Sequence, residues 1–292
     1  MGRLLFVFIV VSFSGAVHAE EPIDVWPDLA PGETSRNTGE LLPFRKEEVP
    51  PVTRVVNIRR PTFTAYLASK PSGAGVVILP GGGFGKVVPD KEGSEAAHWL
   101  NQHGVSAFVL NYRTKANKDD PGWLRPLQDA QRTLATIRSQ AEKWGLKKNR
   151  IGLLGFSAGG QVAARLLSDE GKLAYDPINE IDDISHRPDF ALLIYPWNIY
   201  DTERDALIEG VKISKNCPPT FITHTDDDKS SSLGSTLFYS GLKRIGIPAE
   251  LHIYGNGGHG YGMRKVKGSQ ISTWTEHATH WLGTQHYLNP PF

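Results

Sequence analysis

The chain has 292 residues, of which 39% are hydrophobic and 22% charged, with a formal net charge of +1. That apolar content suffices for a large core, and the balanced charge leaves no electrostatic footprint for nucleic acid or an anionic membrane as partner. The one cysteine, Cys217, has no second cysteine to pair with, so packing rather than a disulfide must hold the fold.

The first 19 residues read as a secretory signal. Arg3 supplies a positive start, residues 4–13 form an apolar run too short to span a bilayer comfortably, and Ala16-Val17-His18-Ala19 places small residues at −3 and −1 before Glu20. Cleavage after Ala19 is expected, with a periplasmic or secreted product that has no membrane attachment. Residues 20–50 are rich in Pro, Gly and charge and read as an irregular arm. Residues 51–292 are expected to form one catalytic domain.

From residue 52 the pattern alternates strand and helix. Strands are predicted over 52–58 and 62–68, with a turn at 59–61. A short apolar strand at 76–79 stops in Pro80-Gly81-Gly82-Gly83. Residues 93–103 have helical spacing, with Ala96, Ala97 and Leu100 on one side. A strand at 105–110, a long helix at 124–144, a strand at 150–155 and a helix at 158–167 follow. Strands at 190–195 and 220–224, a helix at 232–245, a strand at 250–254 and a helix at 270–282 complete the order. Continuous apolar strands alternating with amphipathic helices predict an α/β fold, a mostly parallel sheet covered on both faces. Ligands of such sheets bind beyond the carboxyl ends of the strands. Residues 196–219 are too few for a large helical lid.

Four motifs fall just after predicted strands. Gly155-Phe156-Ser157-Ala158-Gly159 is a G-x-S-x-G sequence between a strand and an Ala-rich helix. That context exposes a serine nucleophile on a tight turn, with the Ala158 amide at the helix N-terminus facing a developing oxyanion. Gly81-Gly82-Gly83-Phe84 lets backbone approach a substrate carbonyl closely. It lacks the Lys-Ser/Thr of a phosphate loop and the spacing of a dinucleotide site, so an oxyanion loop fits better. His224-Thr225-Asp226-Asp227-Asp228 offers three carboxylates, of which one can orient a histidine while the others are solvated or cap the next helix. Gly257-Gly258-His259-Gly260-Tyr261-Gly262 presents a histidine on a glycine-rich loop. The chain order Ser, Asp, His is that of the α/β-hydrolases. His277 and His280 share a helix face but have no third ligand nearby, which argues against a metal.

With these elements in place the chain resembles the exported esterase/lipase-like group of the α/β-hydrolase superfamily, which contains acetylxylan esterases and feruloyl esterases. The resemblance runs from about residue 22 to about 285. It includes Trp26-Pro27, Leu79 to Phe84, Glu92-Gly93 with Trp99-Leu100-Asn101, and Val109 to Arg113. It continues through Asp129 to Arg132, Gly155 to Gly160, Pro188-Asp189-Phe190 with Tyr195-Pro196-Trp197, and Gly257 to Gly260. It implies Ser157 as nucleophile, His259 as base and the amides of Gly82, Gly83 and Ala158 as oxyanion donors. In similar sequences the acid stands four residues after the strand-end histidine, which implies Asp228, with Asp227 second. Two departures stand out: Pro80 replaces a histidine common before the glycines, and Ser230-Ser231-Ser232 replaces an apolar-proline continuation after the acid.

The expected function is therefore that of a serine carboxylic ester hydrolase working through an acyl-enzyme, needing no metal or cofactor. Acetylated xylan-type carbohydrate is the substrate that the resemblance implies. A feruloyl or general short-chain carboxylesterase is the alternative, and an inactive carbohydrate-binding relative the non-enzymatic one. Phe84, Trp197 and Tyr261 follow strand ends and are expected to form an aromatic wall for a small or oligosaccharide ester. The oligomeric state carries no signature in the sequence.

Overall fold

The computed structural model describes residues 19–290. The predicted signal segment, apart from Ala19, lies outside the described residues. Eight strands form the main sheet: β1 (Ile23–Asp24), β2 (Thr62–Tyr66), β3 (Gly75–Leu79), β4 (Ser106–Asn111), β5 (Ile151–Phe156), β6 (Ala191–Ile194), β7 (Thr220–Thr225) and β8 (Ala249–Tyr254). Their order across the sheet is β1-β2-β4-β3-β5-β6-β7-β8. Only β1 and β2 pair antiparallel to their neighbours; every other pairing is parallel.

The central strands explain this layering. β3, β5, β6 and β7 are buried at every position, as strands covered on both faces must be. Alternate side chains of β3 enter two separate cores. Val77 and Leu79 join Leu127, Leu134 and Ile137 of α2 (Leu124–Ser139) and Val162 of α3 (Ala158–Leu167). Val76 and Ile78 join Ala96 and Leu100 of α1 (Glu95–Gln102), with Trp274, Ala278 and Trp281 of α5 (Trp274–Thr284). The remaining helix, α4 (Leu233–Arg244), adds Phe238 and Leu242 to the first core.

The structure corrects several predicted boundaries. The strand expected over 52–58 shrinks to Val55–Val56, paired with Glu40–Leu41 and bridged through Val55 to Val87, because Asn57 takes φ 56° and turns the chain away. The long helix over 124–144 ends at Ser139, and a tighter turn, Ala141–Trp144, carries Trp144 onto Phe108 at a ring-centroid distance of 5.2 Å. The helix expected from 93 is preceded by a wide turn, Asp90–Ser94, in which the Ser94 N–H reaches back to Pro89 O at 2.8 Å. Between β6 and β7 the chain forms a small ribbon, Tyr200–Asp201 against Ala206–Leu207.

The arm over 20–50 reaches into the core. Val25, Trp26 and Ala30 are buried in the first core. Trp26 Nε1 donates to Asp129 Oδ1 at 2.8 Å, and Asp129 also accepts from the backbone N–H of Arg113 at 2.8 Å and its Nε at 2.9 Å. Arg113 Nη1 in turn donates to Pro31 O at 2.7 Å. Both side chains of this ion pair are fully buried. Asp129→Ala leaves the Arg113 guanidinium in the core without its hydrogen-bonded carboxylate, with Glu33 remaining at 3.7 Å. The expected cost is about 3–5 kcal/mol of unfolding free energy, read by denaturant titration; a loss below about 1 kcal/mol would show that the pair does not hold the arm.

Candidate active site

β5 ends at Phe156, α3 begins at Ala158, and the one residue between them is Ser157, with φ 51° and ψ −119°. A non-glycine residue held there stores about 1–3 kcal/mol of backbone strain. Neighbouring hydrogen bonds hold the turn: the Ser157 N–H donates to Ile194 O at 3.0 Å, and the Trp197 N–H donates to Ser157 O at 2.9 Å. The packing also demands a residue without a side chain at Gly159, where a Cβ would stand 2.1 Å from Leu79 O. The elbow is thus pinned to the ends of both β3 and β6.

Ser157 Oγ lies 2.7 Å from His259 Nε2, and His259 Nδ1 lies 2.6 Å from Asp228 Oδ2. An ionised carboxylate only accepts, so Nδ1 carries the proton and Nε2 is left free to accept from the serine hydroxyl. The three aspartates separate by geometry. Asp228, its side chain wholly buried, faces the histidine. Asp227 accepts from the amides of Gly258 at 2.8 Å and Gly257 at 3.2 Å, and those bonds lower its pKa while fixing the histidine loop. Asp226 is exposed, with its own amide donating to Tyr254 O.

Asp228 has a second histidine that the sequence reading left without a role. His224 Nε2 lies 3.0 Å from the same Oδ2, and His224 Nδ1 lies 2.8 Å from Ser235 Oγ. The other carboxylate oxygen, Oδ1, accepts from the Ser230 N–H at 2.8 Å, while the Ser230 hydroxyl accepts from the Asn198 N–H at 2.7 Å. Burial alone would raise the Asp228 pKa. The bonds from His224, His259 and Ser230 outweigh it and hold the carboxyl well below the usual range.

The glycine loop after β3 lies against this elbow. Gly82 has φ +141° and its missing side chain would stand 2.1 Å from Lys86 O. Among the described residues the N–H groups of Gly82 and Gly83 donate to no protein acceptor, and Ala158, as the first residue of α3, has no intrahelical acceptor either. Pro80 is held through its carbonyl by Tyr112 Oη at 2.5 Å. The chief support of the loop is Glu92, set beneath it by the wide turn before α1. Glu92 Oε2 accepts from the Gly81 N–H at 2.7 Å and Oε1 from the Tyr195 hydroxyl at 2.8 Å. Tyr195 Oη also accepts from the Gly262 N–H at 2.8 Å, which extends the link to the histidine loop. Burial pushes the Glu92 pKa up, with Tyr195 and Gly81 pulling it partly back.

This doubly covered, mostly parallel sheet matches that of a solved hydrolase. An acetyl ester-xyloside bifunctional hydrolase from Caldicellulosiruptor lactoaceticus superposes with a TM-score of 0.72 at 29% identity, covering 94% of this chain and 100% of that one. The chain has the α/β-hydrolase fold. A family model described as BD-FAE matches residues 66–177 of it. The chain is similar to an acetylxylan esterase of Xylanibacter ruminicola, 28% identical over 225 residues, covering 69% of this chain and 44% of that protein. It is also similar to endo-1,4-beta-xylanase B of Butyrivibrio fibrisolvens, 31% identical over 206 residues, covering 63% of this chain and 32% of that protein. The chain thus spans less than half the length of either of these two relatives.

Two clefts meet at His259. One, of about 330 Å³, is bounded by Gly82, Gly83, Ser157 and Trp197. The other, of about 590 Å³, is bounded by Trp197, Asn198, Lys229 and Gly258. The expected wall of three aromatics reduces to Trp197, which lines both. Phe84 is buried, with its ring 5.7 Å from that of Trp197, and supports it from behind. Tyr261 is 3% exposed and packs edge-on to Tyr195 at 4.3 Å, so it belongs to the core. Their positions after strand ends misled because a strand end fixes where a residue starts, not which way its ring turns.

Two outcomes follow from this geometry. Because the Asp228 pKa is lower in the folded chain than its ordinary value of 3.8, its contribution to stability is present above that value and is lost as pH falls through and below it. The difference in Tm between wild type and Asp228→Asn should therefore be widest near neutrality and shrink toward about pH 3. A gap that stays constant with pH would assign the carboxylate no electrostatic role. Glu92→Gln replaces an accepting oxygen by a donor and releases either Gly81 or Tyr195. We expect kcat for ester cleavage to fall about tenfold to a hundredfold while KM moves less than about twofold; a change confined to KM would place Glu92 in ground-state binding instead.

Proposed function

We propose that this chain is a serine carboxylic ester hydrolase that removes acetyl groups from xylan-type carbohydrate. The observation that carries the reading is the unbroken hydrogen-bonded line Ser157–His259–Asp228, set beside the unpaired amides of Gly82 and Gly83. His259 takes the Ser157 proton as Oγ attacks the ester carbonyl, and Asp228 stabilises the imidazolium that forms. The oxyanion is received by the amides of Gly82, Gly83 and Ala158. His259 then protonates the leaving alcohol. In the second half it activates water to release the acid from the acyl-enzyme.

The similarity to an acetylxylan esterase and to an acetyl ester-xyloside hydrolase supports the acetyl group and the saccharide. The larger cleft beside Trp197 favours, as a second reading, a bulkier aromatic acyl group of the feruloyl type, or a general short-chain carboxylesterase. We also infer that residues 1–19 direct export, that an arm at 20–50 precedes a catalytic domain at 51–292, and that the protein acts in the periplasm or outside the cell. Among the described residues no helix is long and apolar enough to cross a membrane.

Acetate release from acetylated xylo-oligosaccharides, compared with cleavage of butyryl and feruloyl esters, tests the substrate. A preference for acetyl is expected, and faster turnover of feruloyl esters would shift the assignment. Ser157→Ala should abolish both hydrolysis and labelling by a fluorophosphonate, by more than about a thousandfold, with the Tm retained. Labelling of the variant at the wild-type rate would remove Ser157 from the chemistry.

A further inference from the structure

The smaller cleft beside Ser157 is strongly cationic for a chain whose total formal charge is +1. Arg45, Arg54, Lys86 and Lys91 all line it, and Glu92 is the sole carboxylate among the lining residues. Glu92 spends both oxygens inward, on Gly81 and Tyr195. Two further carboxylates lie behind the rim. Glu48 accepts from Arg54 Nη1 at 2.8 Å and lies 3.8 Å from Arg45, so one negative charge serves two arginines. Asp90 accepts from the backbone amides of Thr53 and Lys91, each at 2.6 Å.

The two lysines are left over. Among the described residues neither Lys86 nor Lys91 has a carboxylate oxygen within 4.0 Å of its ammonium, whereas Arg54 and Arg45 in the same cleft both reach Glu48. Lys91 is also partly buried, and that burial lowers its pKa, with Glu92 opposing the shift. A half-desolvated ammonium facing a cleft is unfavourable unless an anion reaches it, and a cleft with low-dielectric walls and one sign of charge concentrates ligands of the other sign.

We propose that the saccharide half of the substrate carries a carboxylate, as a uronic acid does, and that Lys86 and Lys91 bind it while Ser157 attacks a nearby acetyl ester. The inference rests on the esterase reading. An acetyl group brings no charge, so under that reading the anion lies on the alcohol side. The lysines then select among acetylated oligosaccharides by the acidic group beside the ester, and the reaction releases acetate with the acidic sugar unchanged.

The test is acetate release from acetylated xylo-oligosaccharides with and without a uronic acid substituent, at about 20 mM and about 300 mM KCl. In the wild type kcat/KM should favour the acidic substrate about tenfold at low salt, mainly through KM, and the preference should shrink at high salt. In the Lys86→Gln/Lys91→Gln variant the ratio should approach one. A wild-type ratio of one or less, or a ratio that the double substitution leaves in place, would overturn the proposal. Calorimetric titration of Ser157→Ala with the same oligosaccharides after deacetylation separates the two readings, since it needs no turnover. Tighter binding of the acidic sugar, lost on substituting the lysines, supports the anion site even if no acetyl ester is cleaved. Equal binding of acidic and neutral sugars overturns it, whatever the esterase assay shows.

Discussion

The carboxylate of Glu92, buried beneath the glycine loop, takes one hydrogen bond from the Gly81 amide and another from the Tyr195 hydroxyl. Tyr195 follows β6 and also receives the Gly262 amide from the loop after β8. One side chain therefore fixes the distance between the segment that would receive an oxyanion and the segment that carries the histidine. Neither loop has regular structure of its own to hold it in place. A buried carboxylate is costly unless its oxygens are satisfied, and here the groups that satisfy it are those whose positions the chemistry needs. Rigidity at the site and tolerance of the buried charge thus come from the same bonds.

The other half of the site is organised in the same way around Asp228. Its Oδ2 is shared by His259 and His224, its Oδ1 is held by the Ser230 amide, and Asp227 ties down Gly257 and Gly258. Adjacent acidic residues thus do separate work, one on the ring and one on the backbone that carries it. Together with the strained turn at Ser157 they place the reacting groups before any substrate arrives. Such preorganisation is the main source of electrostatic catalysis.

Much of this was legible from residue order. Ser157 sits in a pattern whose meaning depends only on a strand before it and a helix after it, and both are local in sequence. The glycines around His259 were equally local, and the chain order of the three groups is read directly from the sequence. Glu92 was visible as part of a resemblance, yet its function was not, because it arises from contacts 11 and 103 residues away and from a wide turn that apolar periodicity cannot reveal. His224 was read as the start of a motif rather than as a partner of Asp228, since spacing alone does not say that two histidines meet one oxygen. Tyr261 and Phe84 show the same limit from the other side: aromatic residues near a site are as well placed to support it as to line it, and burial decides between them.

The anchoring of Trp26 on Asp129 has a consequence for how the chain is made. Those residues are 103 positions apart, and Arg113, which completes the cluster, comes late as well. During synthesis the arm must therefore remain unlocked until the 103 residues after Trp26 have followed it. A boundary drawn at residue 50 from composition is not a boundary of cooperative folding: a fragment starting there would assemble its sheet around an ion pair stripped of its indole partner. Insertions or fusions that hold the arm away from the body should accordingly act on folding yield first and on turnover only through it.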